Sequence, residues 1–163
     1  MSHIVVHPRI LMVDNDKRAI EALTALLSKA LPNAYVADDV TDGTKALSLC
    51  RAYGNQYDII LLDMSLEGLQ GPDICKRIRL INNSTPILAM TSFSLNRYRN
   101  SAIESGAQGL VDKSSSEQFT QCIPRIVRGQ TMDGFETPLV AHIQLKNRSA
   151  LKPTLTVTQE TIM

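Results

Sequence analysis

The chain has 163 residues, and its 17 Lys and Arg against 16 Asp and Glu leave a formal charge of +1 at pH 7. That length fits one domain with an appendage and buries a full hydrophobic core, whereas two complete domains would be cramped. The balanced charge excludes a chain-wide basic footprint for nucleic acid or an anionic membrane, so any DNA contact is expected to lie outside this stretch. No apolar run approaches the ~20 residues of a transmembrane helix, and residues 1–7 lack the charged-then-apolar layout of a signal peptide. The expected compartment is the cytosol, without membrane contact. Cys50, Cys75 and Cys122 are odd in number and scattered over helix-like segments, which reads as reduced, near-core thiols.

Strand-like runs alternate with segments of helical period, the pattern of a doubly wound α/β sheet. Arg9 to Val13 is a strand that runs into Asp14-Asn15-Asp16, and Ile20, Leu23, Leu26 and Leu27 then recur at helical spacing until Pro32-Asn33. Ala34 to Val40 is a second strand, interrupted by Asp38 and Asp39. Both are expected to face solvent at a sheet edge, where charge discourages pairing with another chain. A helix with Ala46, Leu47, Leu49 and Cys50 ends at Gly54-Asn55, and the third strand stops on Asp63. After the loop from Ser65 to Gly71, Pro72 occupies a first helical turn, where a missing N–H costs nothing, ahead of Ile74, Cys75, Ile78 and Ile81.

Pro86 to Met90 is the most apolar strand and runs into Thr91-Ser92. A helix from Leu95 to Ser105 stops at Gly106, a residue suited to a left-handed cap, and Gly109 to Val111 leads into Asp112-Lys113. Ser115-Ser116-Glu117 opens a helix with Phe119, Cys122, Ile123, Ile126 and Val127 on its buried stripe and Gly129 as its stop. Pro124 within that stripe predicts a kink or a later start. Beyond it the alternation is lost. Residues 130–154 hold Pro138, Pro153 and the basic Lys146, Arg148 and Lys152, and read as a linker carrying one short helix or strand at 139–145. Thr156 with Gln159 three residues on has the spacing of a capping box, so a helix is expected to begin there. His3, His7 and His142 show no ligand spacing and are expected at the solvent.

An Asp after an apolar run is, taken alone, ordinarily a turn residue or a cap. Here Asp14, Asp63, Thr91 and Lys113 each end a different strand-like run, and the carboxyl ends of parallel strands open onto one crevice. Clustered carboxylates are costly without a cation, and a hard divalent ion such as Mg²⁺ suits carboxylate, carbonyl and water oxygens. Asp63 is then both ligand and nucleophile, forming an aspartyl phosphate whose oxygens the Thr91 hydroxyl and Lys113 ammonium hold. Met64 and Met90 flank the crevice and read as core packing.

Val13-Asp14-Asn15, Leu62-Asp63-Met64, Met90-Thr91-Ser92 and the run from Gly106 to Lys113, with Gly71 after the acceptor loop, resemble the motifs of a response regulator receiver domain of two-component systems. The resemblance covers residues 8–129 and implies a flavodoxin-like (βα)5 fold with a five-stranded parallel sheet in order 2-1-3-4-5. It implies that Asp63 accepts phosphate from a histidine kinase in a phosphorelay. Asp14 and Asn15 take the acidic-pair positions, the Ser65 carbonyl joins Asp63 on Mg²⁺, and Thr91 and Lys113 keep the switch and phosphate-binding roles. The domain is a signalling receiver rather than an enzyme, with slow loss of its own phosphate, and a homodimer is allowed.

Three residues depart from the family pattern. Asn15 replaces the second acid and lowers the expected metal affinity; Leu110 stands where an aromatic residue is usual; and Ser114 follows Lys113 in place of proline, so a cis bond there would cost ~3–4 kcal/mol. Residues 155–163 look like the opening of the helix-turn-helix domain of LuxR-type or NarL-type transcription regulators, which would be truncated here and would supply the DNA contact. Two alternatives stay open. One is an atypical receiver that signals through protein contacts without phosphate. The other is a phosphohydrolase resembling the haloacid dehalogenases, with Asp14 as nucleophile and Asp16 as acid, which leaves Asp63 unexplained.

Overall fold

The computed structural model describes residues 7–66 and 71–162, with the side chains of the last helix described through Ala150. Five strands, β1 (Arg9–Val13), β2 (Tyr35–Val40), β3 (Ile59–Asp63), β4 (Ile87–Thr91) and β5 (Gly109–Asp112), form one parallel sheet in order β2-β1-β3-β4-β5. This is the expected receiver topology. The connecting helices are α1 (Lys17–Ala30), α2 (Gly43–Tyr53), α3 (Gly71–Ile81), α4 (Leu95–Glu104) and α5 (Ser116–Val127), followed by α6 (Pro138–Ile162). Among the described residues no helix is long and apolar enough to cross a membrane.

Side chains alternate across a strand, so each strand feeds two cores. Ile10, Met12, Ile59, Leu61, Leu88, Met90 and Val111 pack with Leu23, Leu27, Phe119 and Ile123 of α1 and α5. Leu11, Val13, Ile60, Leu62, Ile87, Ala89 and Leu110 pack with Ala46, Leu47, Ile74, Ile78 and Ala102 of α2, α3 and α4. Burial on both faces is why β1, β3 and β4 read as continuous apolar runs. Met64 and Met90 are core residues, as expected. Asp16, Asp42 and Ser115 cap α1, α2 and α5 by accepting the N–H of Arg18, Thr44 and Gln118.

Several expectations need correction. Asp38 is half-buried and accepts a hydrogen bond from the Tyr57 hydroxyl, beside a register shift where Ile10 pairs with Val36 and Leu11 with Asp38; Asp39 is exposed. Burial, and then Asp38, push the Tyr57 phenol upward. Ile81, the last residue of α3, is exposed. Helix α5 begins at Ser116 and continues through Pro124, since the Ser115 cap and the buried Phe119, Ile123 and Ile126 hold it across the missing hydrogen bond. His7 is exposed, but His142 is half-buried with Nδ1 2.7 Å from the Arg79 carbonyl. His3 lies outside the described residues.

The largest difference falls after Gly129. Where a linker with a short element was expected, α6 runs from Pro138 to Ile162, so no helix begins at Thr156. Pro138 misled because proline breaks a helix interior, yet it occupies the first helical position, where it is harmless. The Thr137 carbonyl accepts the Ala141 N–H at 2.9 Å, and its hydroxyl faces the Val140 N–H at 3.4 Å. Ala141 and Leu145 are buried, and the helix packs on α3.

At the end of the sheet away from the strand carboxyl ends, Arg79 is fully buried. Its guanidinium donates to the carbonyls of Gly106, Asn82 and Thr85 and to Gln108 Oε1, at 2.8–3.0 Å. No carboxylate pairs with it among the described residues. Burial pushes its pKa down to about 10, which leaves it charged at neutral pH. Arg79→Ala would orphan four buried acceptors and is expected to lower unfolding stability by about 3–5 kcal/mol. Arg79→Lys should recover less than half of that loss, because an ammonium cannot reproduce the planar fork. Urea denaturation of both variants checks this.

Candidate functional site: a carboxylate crevice at the strand ends

The strand register brings four chain segments to one edge. Asp14 follows β1, Asp63 ends β3, Thr91 ends β4, and Lys113 follows β5; Asp14, Asp63 and Thr91 are essentially inaccessible to solvent. Backbone bonds lock the strand ends together: Asp14 N–H to the Val40 carbonyl at 3.1 Å, Met64 N–H to Met90 at 2.8 Å, and Lys113 N–H to Thr91 at 2.9 Å. Gly71 starts α3 against this edge. A Cβ there would collide with the Met64 backbone and the Asp63 carbonyl, so only glycine allows α3 to approach the end of β3 so closely.

The Lys113 ammonium joins the two acids, 2.6 Å from Asp14 Oδ2 and 3.4 Å from Asp63 Oδ2. Asp14 Oδ1 accepts the Asp16 N–H at 2.9 Å. Its Oδ2 is held by the Lys113 ammonium, so any other cation reaching this buried oxygen would share it with Lys113. Asp63 Oδ1 accepts both the Ser65 N–H, at 3.0 Å, and the Ser65 hydroxyl, at 2.8 Å. Thr91 Oγ1 accepts the Phe93 N–H at 3.0 Å, which ties the end of β4 to the loop that leads into α4 while its own O–H stays a separate donor. Asn15 is exposed beside the crevice.

Burial pushes the Asp14 carboxyl above its ordinary value against the opposing pull of Lys113 and the Asp16 N–H. For Lys113, burial would lower the ammonium pKa, but Asp14 and Asp63 together hold it above the ordinary value. Just beyond, the Ser114 hydroxyl and N–H both bond Asp112 Oδ1, at 2.7 and 2.8 Å, and hold that carboxyl below its usual range. Ser114 thus shapes the turn after Lys113, and no described peptide bond is cis.

The crevice therefore assembles Asp14, Asp63, Lys113 and Ser65, with Thr91 adjacent and Asn15 at the exposed side. Sequence reasoning considered only the carbonyl of Ser65 and missed its hydroxyl; it also missed the part of Ser114. The available signal was the spacing shared by Asp63-Met64-Ser65 and Asp112-Lys113-Ser114, in which a serine two residues on can turn back to the carboxylate. As to metal, no cluster of three His, Cys, Asp or Glu occurs among the described residues. Two acids with amide and carbonyl oxygens remain, a donor set compatible with a hard cation. Asp16, the acid of the phosphohydrolase alternative, is exposed and serves as the α1 cap.

Residues 10–123 match the family model described as the response regulator receiver domain, and the chain belongs to that family. Regulatory protein VanRB of Enterococcus faecalis is 33% identical over 105 residues, covering 64% of this chain and 45% of that protein. Transcriptional regulatory protein TcrA of Mycobacterium tuberculosis is 32% identical over 106 residues, covering 64% and 40%. The chain thus spans less than half the length of these relatives. A two-component response regulator of the LuxR family from Aurantimonas sp. SI85-9A1 superimposes with a TM-score of 0.70 at 26% identity, over 86% of this chain and 98% of that one. A CheX-CheY-BeF3-Mg complex from Borrelia burgdorferi matches with a TM-score of 0.64 at 16% identity, over 70% and 84%, a likeness of fold alone.

A carboxyl whose folded pKa lies above 3.8 binds more protons folded than unfolded just above that pH. Its contribution is therefore present below 3.8 and is lost as pH rises through the raised value. At pH 7 without metal, burying ionised Asp14 opposes folding. Asp14→Asn is expected to unfold at a higher temperature than the parent at pH 7, with the difference shrinking as pH falls towards 3.8. Calorimetric scans across that range in chelator check the sign.

Proposed function

We propose that this chain is the phosphate-accepting half of a two-component signalling pair, with Asp63 as the acceptor and a histidine kinase as the donor. The observation that carries the reading is the Lys113 ammonium spanning Asp14 and Asp63 in a buried crevice at the strand ends. In the transfer, a carboxylate oxygen of Asp63 attacks phosphorus, the P–N bond to the donor histidine breaks, and the electron pair leaves with the imidazole, which takes up a proton. Lys113 follows the charge to the phosphoryl oxygens, and the Thr91 hydroxyl donates to another. Asp14, Asp63, the Ser65 carbonyl and Asn15 form the set that would hold Mg²⁺, which when bound neutralises charge on the transferring group. Asp14 Oδ2 and Asp63 Oδ2 both face the Lys113 ammonium, and this paired demand for positive charge is the feature that fits such an ion.

The relative named as a transcriptional regulatory protein supports a role in transcription control, exercised in the cytoplasm with DNA contacted outside residues 8–129. One observation favours the phosphate-free alternative: with Lys113 in place and Asp63 Oδ1 bonded twice by Ser65, the crevice is electrostatically satisfied as it stands.

Exposure to a small phosphodonor with Mg²⁺ is expected to add one phosphoryl mass to the protein, and Asp63→Asn to abolish it while the circular dichroism spectrum is unchanged. Absence of the added mass in the parent protein, from both a small donor and phosphorylated kinases, would favour the phosphate-free alternative. Undiminished labelling of the variant would remove Asp63 from the role. Asn15→Asp is expected to tighten Mg²⁺ binding by roughly tenfold. Titration calorimetry giving equal affinities would show that position 15 does not touch the ion.

A further inference from the structure

Asp112-Lys113-Ser114-Ser115 is the turn that carries β5 into α5, and hydrogen bonds fix every residue of it. The Asp112 N–H donates to Gln118 Oε1 at 3.1 Å, and the Asp112 carbonyl accepts the Ser115 N–H at 3.0 Å. The Lys113 N–H donates to the Thr91 carbonyl at 2.9 Å. Asp112 Oδ1 takes two bonds at once, from the Ser114 N–H at 2.8 Å and from the Ser114 hydroxyl at 2.7 Å. Ser115 caps α5 by accepting the Gln118 N–H at 3.2 Å, and Phe119, one residue on, is fully buried. The turn is thereby moored to β4 at one end and to the core at the other.

A carboxylate that accepts an N–H two residues on forms an ordinary Asx turn, and most such turns only redirect the chain. Two features set this one apart. Its middle residue is Lys113, whose side chain stretches from the end of β5 across β4 to Asp14 Oδ2 at 2.6 Å and Asp63 Oδ2 at 3.4 Å. A lysine side chain is rich in rotamers, so the placement of its ammonium depends on where the backbone holds its Cα. A retreat of about 1 Å would carry the ammonium out of direct contact with Asp63. The second feature is the residue after the lysine. Ser114 has no ring to fix φ, so the turn keeps its shape through hydrogen bonds alone. Ser114 is itself exposed, and its hydroxyl bonds Asp112 rather than a crevice acid. The same bonds occupy the Asp112 carboxylate, the acid nearest Lys113 in sequence. Among the described residues the ammonium accordingly pairs with Asp14 and Asp63 and not with its own neighbour.

We propose that Ser114 is a positioning residue for phosphoryl uptake: its hydroxyl closes the Asp112 turn, and the closed turn sets the reach of the Lys113 ammonium to Asp63. The kinetic part of this inference rests on the phosphoacceptor reading above; the geometric part, that the hydroxyl keeps Lys113 on its two acids, does not. Without the hydroxyl, the Ser114 N–H alone holds Asp112 and the turn loosens. The ammonium then leaves Asp63 first, because that contact is the longer of the two. An incoming phosphoryl group meets a crevice whose fixed cation is displaced, and the transfer slows.

Variants of the full chain test this in two ways. Modification by acetic anhydride, read by mass spectrometry with the exposed Lys29 and Lys45 as internal standards, reports whether Lys113 stays engaged with its acids. Ser114→Ala and Asp112→Ala are expected to speed acetylation of Lys113 by about threefold or more relative to those standards. Ser114→Thr keeps the hydroxyl and should match the parent. The double variant should match Asp112→Ala, because the hydroxyl then has no partner left to lose. With a small phosphodonor and saturating Mg²⁺, Ser114→Ala should add the phosphoryl mass about tenfold more slowly, and Ser114→Thr should restore the rate. Unchanged Lys113 acetylation in Ser114→Ala, or Ser114→Thr behaving like Ser114→Ala, refutes the positioning role and leaves the phosphoacceptor reading intact. Faster acetylation with an unchanged phosphorylation rate overturns the kinetic part. If acetylation responds as expected but the parent takes up no phosphoryl group, Ser114 still holds Lys113, and the kinetic part falls together with the phosphoacceptor reading.

Discussion

Two carboxylates at the ends of neighbouring strands, both out of reach of solvent, cannot stay ionised together without a cation between them. Lys113 supplies that cation, and much of the architecture follows from delivering it. Its ammonium must arrive from β5, two strands away from Asp63 at the end of β3, and the bond from its own N–H to the Thr91 carbonyl fixes the last step of that path. Asp112 and Ser114 then turn the chain away so that the side chain points back across β4. The interaction is a compromise, since burial opposes both ionised partners and their attraction outweighs it for Lys113 but not for Asp14.

The opposite end of the sheet faces the reverse problem. Arg79 is a buried cation among neutral carbonyls, and it ties the end of α3 and the turns entering β4 and β5 into one block. The charged crevice is thereby separated from the arginine hub by the full length of the strands. The first satisfies charge with charge. The second satisfies charge with fixed dipoles, each guanidinium nitrogen donating to a backbone or amide oxygen.

The alternating core and the strand ends were legible because both depend on short-range rules. A residue's face is set by period two along a strand, and the end of an apolar run marks the end of a parallel strand. Asp14, Asp63, Thr91 and Lys113 could thus be placed at one edge before any contact was known. What escaped depends on partners distant in sequence. His142 looked solvent-exposed because nothing near it in the chain reveals the Arg79 carbonyl it meets. Asp38 looked like an edge charge because Tyr57 is remote from it. Residues 130–150 looked like linker because their apolar content is thin, and that content suffices only because α3 and β5 offer matching surface: Met132, Phe135, Ala141 and Leu145 are spaced for docking onto a finished domain. The serines at 65 and 114 were overlooked for a different reason, as their hydroxyls act within their own turns and carry no periodic signature.

Helix α6 also has a mechanical consequence. A helix of 25 residues is about 37 Å long at 1.5 Å per residue. Its described anchors, Ala141, His142, Leu145 and Arg148, lie in the first half. Pivoting at Leu145, a tilt of ten degrees carries Ile162 through about 4 Å, roughly the spacing between two adjacent strands. A rod held near one end converts adjustments of about 1–2 Å at its base into displacements large enough to break or make a contact at its tip.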